Sequence, residues 1–215
     1  MKVFLLVLVV LLGAAAGEQS WAGQASLVSE AEKAWLVAVW DKISPQYRRF
    51  SRKAVPAFVV RAERDLNFFY DSRSHWVVVT TPAVRVFDGK DGEVAFFLSH
   101  ELGHALVLHE PKASGQLLAF LRSLYYWPKG KQAPLSPKER ESLPDMWGLC
   151  LMSAAGYNPT DAGAAFGRIM SVRGTGYEGQ ITWLDVHPSD QRRISLLHRA
   201  TQKGLVQQCQ LLGQG

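Results

Sequence analysis

The chain has 215 residues, 47% of them hydrophobic and 20% charged, with a formal net charge of +5 at pH 7. That length suits one domain with a sizeable core. Its basic residues are scattered apart from Arg48-Arg49 with Arg52-Lys53 and Arg192-Arg193, and no basic-aromatic alternation accompanies them. This argues against a nucleic-acid partner and leaves attraction to an anionic envelope surface as an unspecific property.

Residues 1–16 read as a secretory signal peptide: Lys2, then an apolar run from Val3 to Leu12, then the small residues Ala14-Ala15-Ala16. The apolar run is too short to span a bilayer, which needs about twenty residues. No cysteine follows the cleavage site, which disfavours a lipid anchor, and no other apolar run is long enough to span. The expectation is an exported domain at 17–215, periplasmic or extracellular, with no transmembrane segment once the leader is removed.

Apolar positions at a 3.6 period predict a helix over 26–43, broken at Ser44-Pro45 with a further turn through Phe50. Trp35 and Trp40 belong to its core and rim. Valine-rich segments at 55–61 and 75–80 predict strands, with 71–74 as a turn between them and Thr81-Pro82 ending the second. If the second strand has a free edge, it can pair with an extended peptide through main-chain hydrogen bonds. If it is interior, it cannot.

The segment 91–110 is the most informative. Val94, Phe97, Leu98, Leu102, Ala105, Leu106 and Leu108 give a mostly buried helix, with Asp91-Gly92 as a start signal and Pro111 as a stop. Within it, His100-Glu-Leu-Gly-His104 places two imidazoles one turn apart on one face, so both can reach one ion. Zinc suits neutral nitrogen donors in four-coordinate geometry with one position left for water. Glu101 is then placed to act as general base beside that water. Gly103 costs a helix about 1 kcal/mol relative to alanine. A backbone or substrate approaching that face closely would account for it.

A catalytic site needs a third protein ligand. The metzincin extension requires glycine at 107 and histidine at 110, where this chain has Val107 and Glu110. His109 points elsewhere on the helix. A short amphipathic helix is expected over 115–126, followed by a loop over 127–137 that either covers the cleft or is a plain solvent loop. Ser136-Pro137-Lys138-Glu139 opens another helix, with N-cap serine and proline at its first position. On that helix Glu141 and Asp145 share a face. They are either a ligand with a carboxylate that fixes a ligand histidine, or a surface pair. Cys150 and Cys209 either form a disulfide tying this helix to the C-terminal tail or remain two thiols.

Taken in order, His100-Glu-Leu-Gly-His104, Glu141-x-x-x-Asp145, Leu151-Met-Ser-Ala-Ala-Gly-Tyr-Asn-Pro159 and His187-Pro188 with Arg193-Ile194 resemble the M48 family of zinc metallopeptidases. This gluzincin family has HtpX-type, Oma1-type and BepA/LoiP-type members. The resemblance covers roughly residues 56–200 and implies an α+β, mostly helical zincin-like domain with a small sheet beside the metal helix. It implies one zinc ion per chain held by His100, His104 and Glu141, with Glu101 as base and a polypeptide as substrate. It also implies that the 187–193 segment folds back near the cleft. There His187 either stabilises the oxyanion, approaches the metal or is a packed turn residue. Arg193 either braces Asp145 or lies on the surface. A helix is expected from about 189 to 207.

Two departures from the family stand out. Pro144 replaces the usual alanine, which would bend the helix between Glu141 and Asp145 or restart it there. The membrane helices of the HtpX-type and Oma1-type members and any long C-terminal repeat domain are also missing. The expected activity is a zinc metalloendopeptidase acting on exported or envelope proteins. The alternative is a non-catalytic zinc-binding protein that recognises misfolded or partner chains.

Overall fold

Helix α3 (Asp91–His109) runs through the middle of the core. Its side chains are buried from Val94 to Gly103 and again at Ala105 and Leu106, with Ser99, His100 and Glu101 among them. A helix this apolar on every side is satisfied only inside a core. The computed structural model describes residues 28–124, 137–173, 179–187 and 191–213. The leader expected at 1–16 and nearly all of the loop expected at 127–137 lie outside the described residues.

Around α3 the described chain forms α1 (Glu30–Tyr47), β1 (Ala57–Arg61), β2 (Phe68–Asp71), β3 (Trp76–Thr80), α2 (Thr81–Val86), α4 (Pro111–Leu124), α5 (Pro137–Ala154), α6 (Asp161–Arg173), α7 (Thr182–Val186), α8 (Gln191–Gln202) and α9 (Leu205–Leu212). The fold is α+β and mostly helical, with a three-stranded sheet in the order β1-β3-β2 packed beside α3. β1 pairs parallel with β3, from Ala57 opposite Trp76 to Arg61 opposite Thr80. β2 pairs antiparallel with β3, from Phe68 opposite Val79 to Asp71 opposite Trp76. Among the described residues no helix is long and apolar enough to cross a membrane.

Several elements differ from the sequence expectations. Helix α1 is not broken at Ser44-Pro45 but runs through to Tyr47, because Pro45 is itself exposed and lies so near the helix end that only one hydrogen bond is lost. Its start is fixed by a capping box, Ser29 accepting from the Glu32 amide while the Glu32 side chain accepts from the Ser29 amide. The turn after Asp71 closes a hairpin from a strand not expected, β2. β3 is therefore the interior strand, and the free edge for pairing cannot be on it. Thr81-Pro82 does end β3, but it also opens the short helix α2, with proline in the first turn. Helix α4 begins at Pro111 rather than at 115. The single helix expected over 189–207 is two, separated at Gly204, whose φ of 88° suits glycine.

The contact that positions the site is the crossing of α3 and α5. A Cβ added to Gly103 would sit 2.6 Å from the Pro144 carbonyl oxygen and 3.0 Å from its Cα. One added to Gly148 would sit 3.2 Å from the His100 amide nitrogen. Each helix thus offers a glycine to the other's backbone, which is the close approach that Gly103 requires. Pro144 does not interrupt α5, and Glu141 and Asp145 lie on one continuous helix. After Ala154, Gly156 at φ 85° and the bond from the Tyr157 amide to the Met152 carbonyl end α5. Cys150 and Cys209 form a disulfide between α5 and α9 across 59 residues of sequence. Closing a loop of that size limits the unfolded chain by about 4 kcal/mol.

Candidate metal centre

His100 and His104 emerge from one face of α3, Glu141 from the first half of α5, and His187 from the C-terminal end of α7. Their ligating atoms all lie within 4.8 Å of one another. The Nε2 atoms of His100 and His187 are each 3.2 Å from His104 Nε2. Glu141 Oε2 is 3.5 Å from both His100 Nε2 and His104 Nε2, and 3.6 Å from His187 Nε2. A regular tetrahedron with bonds of about 2.0–2.1 Å to its centre has edges of about 3.3–3.4 Å. These five spacings match its edges, and His100 and His187 complete the group within 4.8 Å.

The hydrogen bonds around the cluster set the tautomers. His187 Nδ1 is 3.2 Å from the Trp183 carbonyl oxygen, which can only accept, so Nδ1 carries the proton and Nε2 faces the cluster as a lone pair. His100 Nδ1 donates in the same way to Asp145 Oδ1 at 2.9 Å. Glu141 Oε2 is a buried carboxylate oxygen with no hydrogen-bond partner. Lone pairs and an orphaned carboxylate oxygen converging at these distances repel one another unless a cation sits among them. His100, His104, Glu141 and His187 therefore form a group, buried or half-buried, whose donors fit a metal ion.

Asp145 and Arg193 close the back of the site. Arg193 on α8 donates from Nε to Asp145 Oδ2 at 2.6 Å and from Nη2 to Oδ1 at 2.8 Å, and from Nη1 to the His187 carbonyl at 3.3 Å. Asp145 is fully buried and Arg193 nearly so. Burial would raise the Asp145 carboxyl, but the Arg193 guanidinium and His100 hold it below the usual carboxylate range. Burial would push His100 down, yet its bond to Asp145 and the nearby Glu141 carboxylate hold it up at about 9. Glu141, which burial would raise, is kept far below its ordinary value by His100 and His104. His187 is lowered to about 4, chiefly by burial. The pocket favours positive charge at its centre and keeps His187 neutral.

Glu101 is fully buried beside this group. Its Oε2 accepts from the Tyr70 amide of β2 at 3.0 Å and its Oε1 accepts from the Trp183 indole at 3.2 Å. His187 Nε2 lies 3.9 Å from Oε1. The structure thus brings together all seven residues singled out from the sequence: His100, His104, Glu141, Glu101, His187, Asp145 and Arg193. Asp145 fixes His100, Arg193 braces Asp145, and His187 stands at the donor cluster itself. His109 points away, its Nδ1 2.9 Å from the Tyr47 hydroxyl. Tyr70 and Trp183 were missed. Trp183 lies four positions before His187, one turn away on a helix, which is a weak signal. Tyr70 acts through its backbone and leaves none.

No protein-family model matches the chain, and no curated protein matches it.

Proposed function

We propose that this chain is a zinc-dependent endopeptidase of the M48 type that cleaves polypeptides outside the cytoplasm. The observation that carries the reading is the fully buried Glu101 carboxylate set beside three imidazole nitrogens and one carboxylate oxygen at tetrahedral spacing. Nitrogen and oxygen donors in that geometry favour zinc, and zinc bound there would supply a Lewis acid and lower the pKa of water. His100, His104 and Glu141 would hold it, with Asp145 and Arg193 keeping His100 oriented. Glu101 takes the proton from the attacking water and delivers it to the leaving amine. An extended substrate adds to the outer edge of β2, which pairs with no strand among the described residues and whose Tyr70 amide is bonded to Glu101 until substrate takes its place. The disulfide agrees with an oxidising compartment.

His187 supplies a fourth donor, where a catalytic zinc site would keep a position for water or substrate. On this reading the arrangement is a resting state that His187 must leave. The same observation favours a second reading, a closed zinc site in a non-catalytic binder of misfolded or partner chains.

Cleavage of a casein-type substrate separates the two. Wild type is expected to cleave, to stop with chelator and to recover with zinc. Glu101→Gln should keep its zinc and lose about 10²–10⁴-fold in rate. Equal cleavage by the variant would overturn the mechanism. Binding without cleavage by wild type, unchanged in Glu101→Gln, would establish the binder.

A further inference from the structure

Trp183 touches both Glu101 and His187, and it does so through different atoms. Its indole N–H donates to Glu101 Oε1 at 3.2 Å. Its ring stacks on the His187 imidazole, with centroids 4.9 Å apart and planes 14° from parallel. Its carbonyl accepts from the His187 amide at 2.8 Å and from His187 Nδ1 at 3.2 Å. One residue therefore sets the position, tilt and tautomer of His187 while occupying one oxygen of the base. The other oxygen is engaged by Tyr70.

Trp183 itself is completely buried, with its ring edge-on to Phe97 at 4.8 Å and the Arg193 guanidinium 5.3 Å from its centroid. The backbone before it is tied to the chain leading into β2: the Leu66 amide donates to the Gln180 carbonyl at 2.9 Å, and the Trp183 amide to the Leu66 carbonyl at 3.5 Å. Residues 180–187 thus dock as one piece against the sheet edge, α3 and the donor cluster.

Resting on the peptidase reading, we propose that Trp183 is a positioning residue that couples the base to the fourth donor. While its indole is bonded to Glu101, His187 is held at the metal vertex. When this piece withdraws, the vertex and Glu101 Oε1 become free together. The site therefore has two states, closed with the base engaged or open with the base available, and the Trp183–Glu101 bond biases the first.

This predicts that Glu101, which is not among the donors, controls access to the metal vertex through Trp183. The test is azide binding to the cobalt(II)-loaded full chain, followed by visible absorption. A small ligand competing with His187 binds with an apparent affinity scaled by the open fraction. Trp183→Phe keeps an aromatic ring but loses the N–H and part of the surface stacked on His187; Glu101→Leu removes the acceptor and leaves the indole whole. Each should bind azide about tenfold tighter than wild type, since a hydrogen bond to a charged group is lost. The double variant should bind no tighter than either single one, and His187→Ala should set the upper limit. If Trp183→Phe does not fold, Glu101→Leu alone carries the same prediction. Unchanged azide affinity in the folded variants, or effects that add in the double variant, overturns the coupling and leaves the metal site standing. Failure of wild type to take up cobalt or zinc overturns both.

Discussion

On one side of the donor cluster, α3 and α5 meet backbone to backbone at Gly103 and Gly148, and His100, Glu101 and Asp145 around the contact are fully buried. On the other side, His187 ends a helix of five residues, held by the Trp183 ring and carbonyl and by a few backbone bonds to Leu66. Three donors come from the first side and one from the second. A metal frame needs donors fixed before the ion arrives, and dense helix packing fixes them. On the peptidase reading His187 yields to substrate, which calls for a weaker mounting, and a short segment supplies it. Arg193 on α8 is the weld between the two sides, bidentate to Asp145 on α5 and bonded to the His187 carbonyl.

Breaking that weld should have the largest effect. Arg193→Met strands a fully buried carboxylate and is expected to lose about 3–5 kcal/mol in urea denaturation. A loss under about 1 kcal/mol would show that the two sides are not joined there. The frame itself is tested by Gly103→Ala, whose Cβ would press on the Pro144 backbone. Its expected loss is about 2 kcal/mol even after the gain in helix propensity. Gly167→Ala, at an exposed position of α6 with nothing within 4 Å, is the contrast and should gain up to about 1 kcal/mol. Equal effects at the two glycines would remove the argument from close approach.

A smaller effect reports how far the frame extends. Burial pushes the Tyr47 phenol up to about 12, against about 10 when unfolded. A raised value means that this contribution is complete below about pH 10 and is lost as pH rises towards about 12. Tyr47→Phe should be about 1 kcal/mol less stable at pH 8, having lost the bond to His109, yet decline less steeply above pH 10. Parallel stability curves for the two proteins would contradict this.

The frame was also the more legible side in sequence. The histidine pair on an apolar helix announces itself by spacing, and Gly103 signals a close approach by a backbone or a substrate, which proves to be the Pro144 backbone. Glu141 and Asp145 look like any surface pair until the ordered motifs stand beside them, because nothing local says that α5 crosses α3 there. Pro144 suggests a bend or restart, yet α5 runs through it as one helix. The run Trp76-Val-Val-Val-Thr80 lacks polar alternation, which is the mark of an interior strand, and β3 is one. β2 was hidden because its four residues are too few to show a period. Trp183 was hidden because its partners Glu101 and His187 lie far away in sequence or across a helix turn, and a lone tryptophan reads as core. The region around 180–187 is built from long-range contacts, and a local pattern carries little of that.

The most direct measurement is zinc K-edge absorption on the metal-loaded chain, wild type beside His187→Ala. The account predicts one zinc per chain with three imidazole nitrogens and a carboxylate oxygen at about 2.0–2.1 Å, falling to two imidazoles in the variant. Zinc that is not held stoichiometrically, or the same imidazole count in both proteins, would contradict it.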